Sequence, residues 1–142
     1  MDEIRLTEAG RRAAREMFGE SGPDHMEASF AAREQQVDRS WAEISSGWVL
    51  NGMYARHVLP TSTRELCAVA ALTVLGHHEE LRAHIGIALR SNRPELVREV
   101  ILQMAVYAGM PPMYEALRVY ESIVGAPGFV AFAEPGQPAS PT

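Results

Sequence analysis

The sequence predicts an all-α, single-domain helical bundle of about six or seven helices, and three observations support this prediction. Apolar residues recur at spacings of three and four along most of the chain. No strand-like alternation extends beyond a few residues, and Gly and Pro fall between the periodic segments. The length of 142 residues is enough to bury the core of one domain.

Residues 1–60 are expected to supply the N-terminal helices of this domain. The apolar spacing predicts helices over about residues 7–18 and 24–43. A third segment, residues 46–56, is rich in apolar side chains, but its two glycines weaken its helix propensity.

Residues 61–124 carry clearer signals and are expected to form the core. Ser62 and Glu65 have the spacing of a capping box, which predicts the start of a helix that runs to about Leu75. Apolar residues cover nearly every face of this helix, so we expect it to be buried on all sides, with Cys67 as a core residue. Further helices are predicted over about residues 78–90, 94–108 and 113–124.

Residues 125–142 form a tail rich in Pro and Gly, which is a poor candidate for regular structure. Its Phe129, Val130 and Phe132 are apolar enough to dock on another surface. Together with apolar residues on two faces of the last helix, they predict a symmetric homo-oligomer, at least a trimer.

Composition excludes several classes of function. The net charge of −5 and the lack of a basic stripe argue against nucleic acid and membrane surfaces as partners. All 13 basic residues are Arg, which excludes Schiff-base chemistry on a lysine. The single cysteine excludes an internal disulfide. Because the sequence shows neither a long apolar span nor a secretory signal, we expect a soluble, cytoplasmic protein.

Glu80 and His84 are the first candidates for catalysis. They lie four residues apart and therefore on one face of a predicted helix. A carboxylate beside an imidazole fixes its tautomer and raises its basicity, which suits proton transfer. The alternative is a surface pair, or a Glu that complements the helix dipole.

Glu65 has two interpretations that the sequence leaves open. It is either the acidic member of the capping box or an acid–base group at the mouth of a pocket. Arg64, its neighbour, could hold a substrate carboxylate through two hydrogen bonds or be an ordinary surface residue.

Three further residues are candidates for substrate binding: His77, His57 and Tyr107. His77 also suggests a metal site together with Glu80 and His84, but the spacing matches no established zinc motif, so we predict no metal. Tyr107 and His57 are otherwise a core tyrosine and a loop histidine.

The run RELCAVAALTVLGHHEELRAHIGIALRSNRPELVREVILQMAVYAGMPPMYEALRV resembles the carboxymuconolactone decarboxylase family over about residues 61–124. The resemblance is carried by Arg64, by Glu80-Leu81 before His84, by the helix around residues 95–99 and by the run VYAGMP at residues 106–111. It is stronger toward the γ-carboxymuconolactone decarboxylases than toward the alkylhydroperoxidase D-like branch.

This resemblance implies an all-helical, alkylhydroperoxidase D-like subunit in a ring-like oligomer, typically a hexamer, with active sites at or near subunit contacts. Glu65 and His84 match a Glu and a His of the peroxidase proton relay, but His77 and Glu80 stand where its two cysteines would be. Peroxidase activity is therefore not expected. In the decarboxylase branch, Glu80 and His84 match the acid–base pair.

The sequence and the resemblance together predict a cofactor-independent decarboxylase, or a related lyase or isomerase, that acts on a small cyclic carboxylic acid or lactone. The family's decarboxylases tend to carry a segment ending in Arg-Pro-Gly-Leu before the buried helix, whereas this chain has GWVLNGMYARHVLP. That difference leaves the substrate open. Two alternatives remain, a non-catalytic ligand-binding or scaffold subunit and a metal-assisted enzyme.

Overall fold

The computed structural model describes residues 4–132, and over this range all regular structure is helical. The prediction of an all-α fold is confirmed. No helix in this range is long and apolar enough to cross a membrane. The chain divides into two compact units between Thr61 and Ser62.

The N-terminal unit contains three α-helices, α1 (Glu8–Phe18), α2 (Gly22–Gln36) and α3 (Arg39–Ser45), followed by a π-helix (Ser46–Met53) and a 3₁₀ turn (Tyr54–Arg56). The prediction of one helix over residues 24–43 is wrong in one respect, because Val37 and Asp38 divide this segment into two helices. The Asp38 carboxylate accepts a hydrogen bond from the backbone N–H of Trp41 at 2.7 Å and so caps a new helix.

The π-helix explains one of the two glycines that weaken the helix signal in this segment, Gly52, whereas a Cβ atom on Gly47 would meet no atom within 4 Å. A Cβ atom on Gly52 would lie 2.8 Å from the carbonyl oxygen of Gly47, which is too close for any other residue without a backbone shift. The wider π turn therefore depends on glycine at position 52.

The Glu16 carboxylate on α1 contacts side chains near the C-terminal end of this unit. Glu16 Oε2 accepts a hydrogen bond from Thr61 Oγ1 at 2.6 Å, and Oε1 accepts one from Arg12 Nε at 3.1 Å. His57 Nδ1 lies 3.9 Å from the same Oε2 atom. Partial burial raises the pKa of Glu16, but the hydrogen bonds from Thr61 and Arg12 and the nearby His57 outweigh it and leave the pKa lowered.

This lowered pKa predicts an acid-dependent loss of stability. A carboxylate whose folded-state pKa lies below its ordinary value of 4.5 stabilises the fold above that pH, and the contribution is lost as the pH falls through the folded pKa. We expect the Glu16→Gln variant to be less stable than wild type at pH 7, with the difference shrinking toward about pH 3. Urea unfolding across this range measures the effect, with the exposed Glu20→Gln as the control. A difference that is constant with pH would contradict the prediction.

The second unit is built from the helices α4 (Thr61–Leu75), α5 (His78–Ala88), α6 (Pro94–Gln103), α7 (Ala105–Ala108) and α8 (Met110–Val124). Its core joins α4, α5, α6 and α8 through these buried side chains: Val69, Leu81, Ile85, Ala88, Leu89, Val97, Ile101, Met113, Ala116, Val119 and Tyr120.

The helix α4 differs from its prediction in two ways. It begins at Thr61, so Ser62 lies inside the first turn instead of capping it, and the capping box is not formed as predicted. It is also not buried on all sides, because Leu75 is 65% exposed and Cys67 is exposed. The prediction of Cys67 as a core residue is therefore wrong. Apolar composition indicated burial, but in the single chain one face of the helix lies open.

The other helix bounds differ by a few residues. The helix predicted over residues 94–108 is interrupted at Met104. The last helix begins at Met110 because Pro111 and Pro112 occupy its first turn, where a missing N–H costs little. Residues 125–132 form no helix, and Phe129 packs against the core while Val130 is exposed. The rest of the predicted tail lies outside the described residues.

Candidate active site

Glu65 and His84 form a contact at the centre of the second unit. His84 Nδ1 lies 2.7 Å from Glu65 Oε2, which is the distance of a short, charge-assisted hydrogen bond. Glu65 is fully buried, and the His84 side chain is 28% exposed. The pair therefore joins an interior carboxylate to an imidazole that solvent or a ligand can reach.

A helical hairpin positions the two groups. The helices α4 and α5 are joined by Gly76 and His77, and Gly76 adopts a positive φ of 70° that ends α4. The start of α4 thus lies beside the end of α5. Glu65 and Val69 lie on one stripe of α4, four residues apart, and this stripe faces inward because both side chains are fully buried.

The burial of Glu65 has an electrostatic consequence. An ionised carboxylate in the interior is unfavourable unless hydrogen bonds and opposite charge compensate the lost hydration. His84 supplies such compensation when its Nδ1 carries a proton that it donates to Oε2. The second ring nitrogen, Nε2, is then available to exchange a proton with a ligand.

The expected pairing of Glu80 with His84 is wrong. Glu80 is exposed, and the described residues provide no ion pair or hydrogen bond between it and His84. His77 is also exposed and precedes α5 at its N-cap position. Within residues 4–132, no group of three His, Cys, Asp or Glu side chains is placed to hold a metal ion. The described residues therefore do not assemble His77, Glu80 and His84, which the sequence offered only as an alternative, into a metal site.

The remaining candidates lie in different places. Arg64 is half-buried on α4, directly before Glu65. Tyr107 is exposed and lines an apolar groove, not the surroundings of the pair. His57 belongs to the N-terminal unit, where it neighbours Glu16.

The spacing of residues in the sequence did not predict the contact between Glu65 and His84, which are 19 positions apart. A signal was present in the turn at Gly76, because two helices joined by a tight turn run antiparallel and bring residues equally distant from the turn together. Glu65 lies 11 residues before Gly76 and His84 lies 8 after it. The two distances differ by three residues, so the turn indicates the contact only to within about one helical turn.

The fold and the pair define an all-helical protein with a buried carboxylate–imidazole dyad, and comparison with known proteins gives its family. A model of the carboxymuconolactone decarboxylase family matches residues 36–122. The chain belongs to this family, which confirms the resemblance seen in the sequence. The match begins well before residue 61, so it also includes α3 and the π-helix.

A 4-carboxymuconolactone decarboxylase from Acinetobacter baylyi is similar to this chain, with 29% identity over 85 residues. The aligned segment covers 59% of this chain and 57% of that protein. The chain therefore matches little more than half of that relative's length. These findings indicate a decarboxylase-type family.

Proposed function

We propose that this chain is a cofactor-independent carboxy-lyase that acts on a small cyclic carboxylic acid or lactone. One observation carries the proposal: a fully buried carboxylate holds the imidazole of His84 at 2.7 Å while part of the ring stays accessible. This is the arrangement of a positioned proton donor. Many reactions need a positioned proton donor. Among them, the family of this chain and its similarity to a 4-carboxymuconolactone decarboxylase favour decarboxylation.

The proposed reaction begins with loss of CO₂. The bond between the ring carbon and the carboxylate breaks, and its electron pair moves into a conjugated carbonyl to give a dienolate. His84 stabilises the charge on the oxygen or protonates the carbon through Nε2, and solvent returns the proton to the ring. A placed general acid contributes roughly 10²–10⁴ in rate.

Glu65 acts through His84 in this scheme. Its carboxylate fixes the ring orientation and stabilises the imidazolium, so that the proton is held at Nε2 facing the ligand. Arg64, one residue earlier on the same helix, is proposed to hold the substrate carboxylate. Glu80 and His77 are assigned no role in proton transfer because both are exposed and neither bonds to His84.

The scaffold alternative predicts that Glu65, Glu80 and His84 face solvent separately. Glu65 and His84 instead contact each other, with the Glu65 carboxylate fully buried, whereas Glu80 is exposed. The contact between Glu65 and His84 is what supports the enzyme proposal over the scaffold alternative. The test is an assay of CO₂ release from a panel of cyclic carboxylic acids and lactones that includes 4-carboxymuconolactone. We expect release from at least one member that depends on His84. A panel on which wild type and His84→Ala release CO₂ at the same background rate would contradict the proposal.

We also propose that the protein acts as a homo-oligomer. The exposed face of α4 forms a groove of about 570 Å³ with Met104 and Tyr107, and its other lining residues are Cys67, Ala70, Ala71, Val74 and Leu75. Among the described residues, no charged side chain lines this groove. Its small lining residues, Ala70 and Ala71, allow close approach of another helix, and its larger ones are mostly apolar, so we assign the face to a second copy of this chain.

Light scattering checks this proposal. We expect a mass of at least three times the 15.6 kDa of one chain. Leu75→Arg places a charge in the groove and is expected to lower the mass, because a buried unpaired charge is strongly unfavourable at an interface. Gln35→Arg, at an exposed polar position of α2, is the control and should leave the mass unchanged. A wild-type mass near 15.6 kDa at micromolar concentration would refute the oligomer.

A further inference from the structure

Asn92 is a buried polar residue that joins the two helices of the Glu65–His84 pair. Its Nδ2 atom donates hydrogen bonds to the carbonyl oxygens of Ser62, at 3.1 Å, and Ala88, at 3.0 Å. Ser62 belongs to the first turn of α4, and Ala88 is the last residue of α5. The two helix ends are thus held by one amide group.

The orientation of this amide follows from its partners. Both partners are carbonyl oxygens, which accept and never donate, so the NH₂ group of Asn92 must face them. The N-cap residue of the next helix, α6, is Arg93. Asn92 is therefore not that N-cap, and its two N–H donors serve the contact between α4 and α5.

The bridge lies close to the pair on both helices. Ser62 precedes Glu65 by three residues, and Ala88 follows His84 by four. Each attachment point is therefore about one helical turn, or roughly 5.4 Å, from the residue of the pair on the same helix. A slip of one residue between the helices would shift the two groups by roughly 1.5 Å, which is enough to break a 2.7 Å contact.

We propose that Asn92 is a positioning residue that sets the distance between Glu65 and His84. The inference rests on the proposed function for its catalytic consequence, but its structural part concerns the pair alone. Without the bridge, α4 and α5 stay packed through their apolar side chains and lose the fixed register at the end that carries the pair. A small misplacement of a catalytic group, of about 1 Å, can cost on the order of 10²-fold in rate.

A graded series of variants tests the proposal. Asn92→Ser keeps one hydroxyl donor and can bridge to one carbonyl at most, whereas Asn92→Ala keeps none. The first measurement is the NMR signal of the His84 ring nitrogens, which reports the contact with Glu65 without any substrate. We expect this signal to shift in Asn92→Ser and further in Asn92→Ala, while the signals of His25 and His78 stay in place.

Tyr120→Phe is the matched control for a structural effect. Tyr120 is also buried, and its hydroxyl donates to the carbonyl oxygen of Pro94 at 3.0 Å, which links α8 to α6 and makes no bond between α4 and α5. We expect it to lower the melting temperature without moving the His84 signal. Circular dichroism establishes that each variant is folded, and the comparison of Asn92→Ser with wild type decides the question if Asn92→Ala does not fold.

The second measurement is turnover on the substrate found in the CO₂ assay. We expect kcat to fall about 10- to 100-fold in Asn92→Ala with a smaller change in KM. A His84 signal at its wild-type position in folded Asn92 variants would overturn the proposal. If no substrate is decarboxylated but the His84 signal shifts, the positioning role stands and the proposed function fails, so the two failures are distinguishable.

Discussion

Replacing His84 by alanine is expected to lower kcat by about two to four orders of magnitude, which is the contribution of a positioned general acid. The partly exposed ring, held at 2.7 Å by the buried Glu65, is the proton donor in the proposed reaction. Alanine has no exchangeable proton. The measurement is steady-state turnover on the substrate identified by the CO₂ assay, together with a thermal melt of the same sample.

A second variant separates chemistry from stability. Alanine also removes a hydrogen-bond partner of a fully buried carboxylate, so His84→Ala is expected to be less stable than wild type. In His84→Asn, the side-chain amide nitrogen takes about the position of Nδ1 and can still donate to Glu65 Oε2. We expect His84→Asn to recover most of the stability and none of the activity. Activity above about a third of wild type in either variant would end the assignment of His84.

The class of fold could be predicted from the sequence because helix periodicity and Gly or Pro boundaries are local signals. The bounds of α1 and the end of α4 at Leu75 needed little more than such signals. Where a local signal competed with tertiary contacts, the sequence was a weaker guide. Ser62 and Glu65 have the spacing of a capping box, yet Glu65 is buried against a residue 19 positions away.

The partner of His84 shows why the site was harder to predict than the fold. The spacing of Glu80 and His84 places them on the same side of α5, but spacing does not tell which part of that side faces the interior. In the structure Glu80 is exposed at the start of α5, whereas His84 faces the buried stripe of α4. Pairing between helices depends on the register of the hairpin, which the apolar pattern alone does not define.

The exposed face of α4 could not have been predicted either. Apolar composition indicates that a surface will be covered, but not whether the same chain or another copy covers it. The single chain leaves Cys67 and Leu75 exposed, although Leu75 is apolar and Cys67 is only weakly polar. In the proposed oligomer a neighbouring copy covers these side chains, which explains why they lie on a face that the single chain leaves exposed.

Glu65→Gln is expected to lower kcat about a hundredfold or more while the melting temperature hardly moves. Gln has nearly the same shape and can accept the hydrogen bond from His84 Nδ1, so the packing of α4 against α5 is kept. It carries no charge, however, and the imidazolium of His84 loses the carboxylate that stabilises it. The loss of the negative charge also removes a desolvation cost in the interior, which offsets the weaker hydrogen bond.

The matched control is Glu80→Gln, which makes the same chemical change on the helix that carries His84 but at an exposed position. If Glu65 is the group that orients His84, Glu80→Gln keeps wild-type turnover and Glu65→Gln does not. The reverse result would restore Glu80 as the partner and remove Glu65 from the mechanism. If both variants keep wild-type activity, His84 needs neither carboxylate for catalysis. The contact between Glu65 and His84 would then contribute only to the stability of the fold.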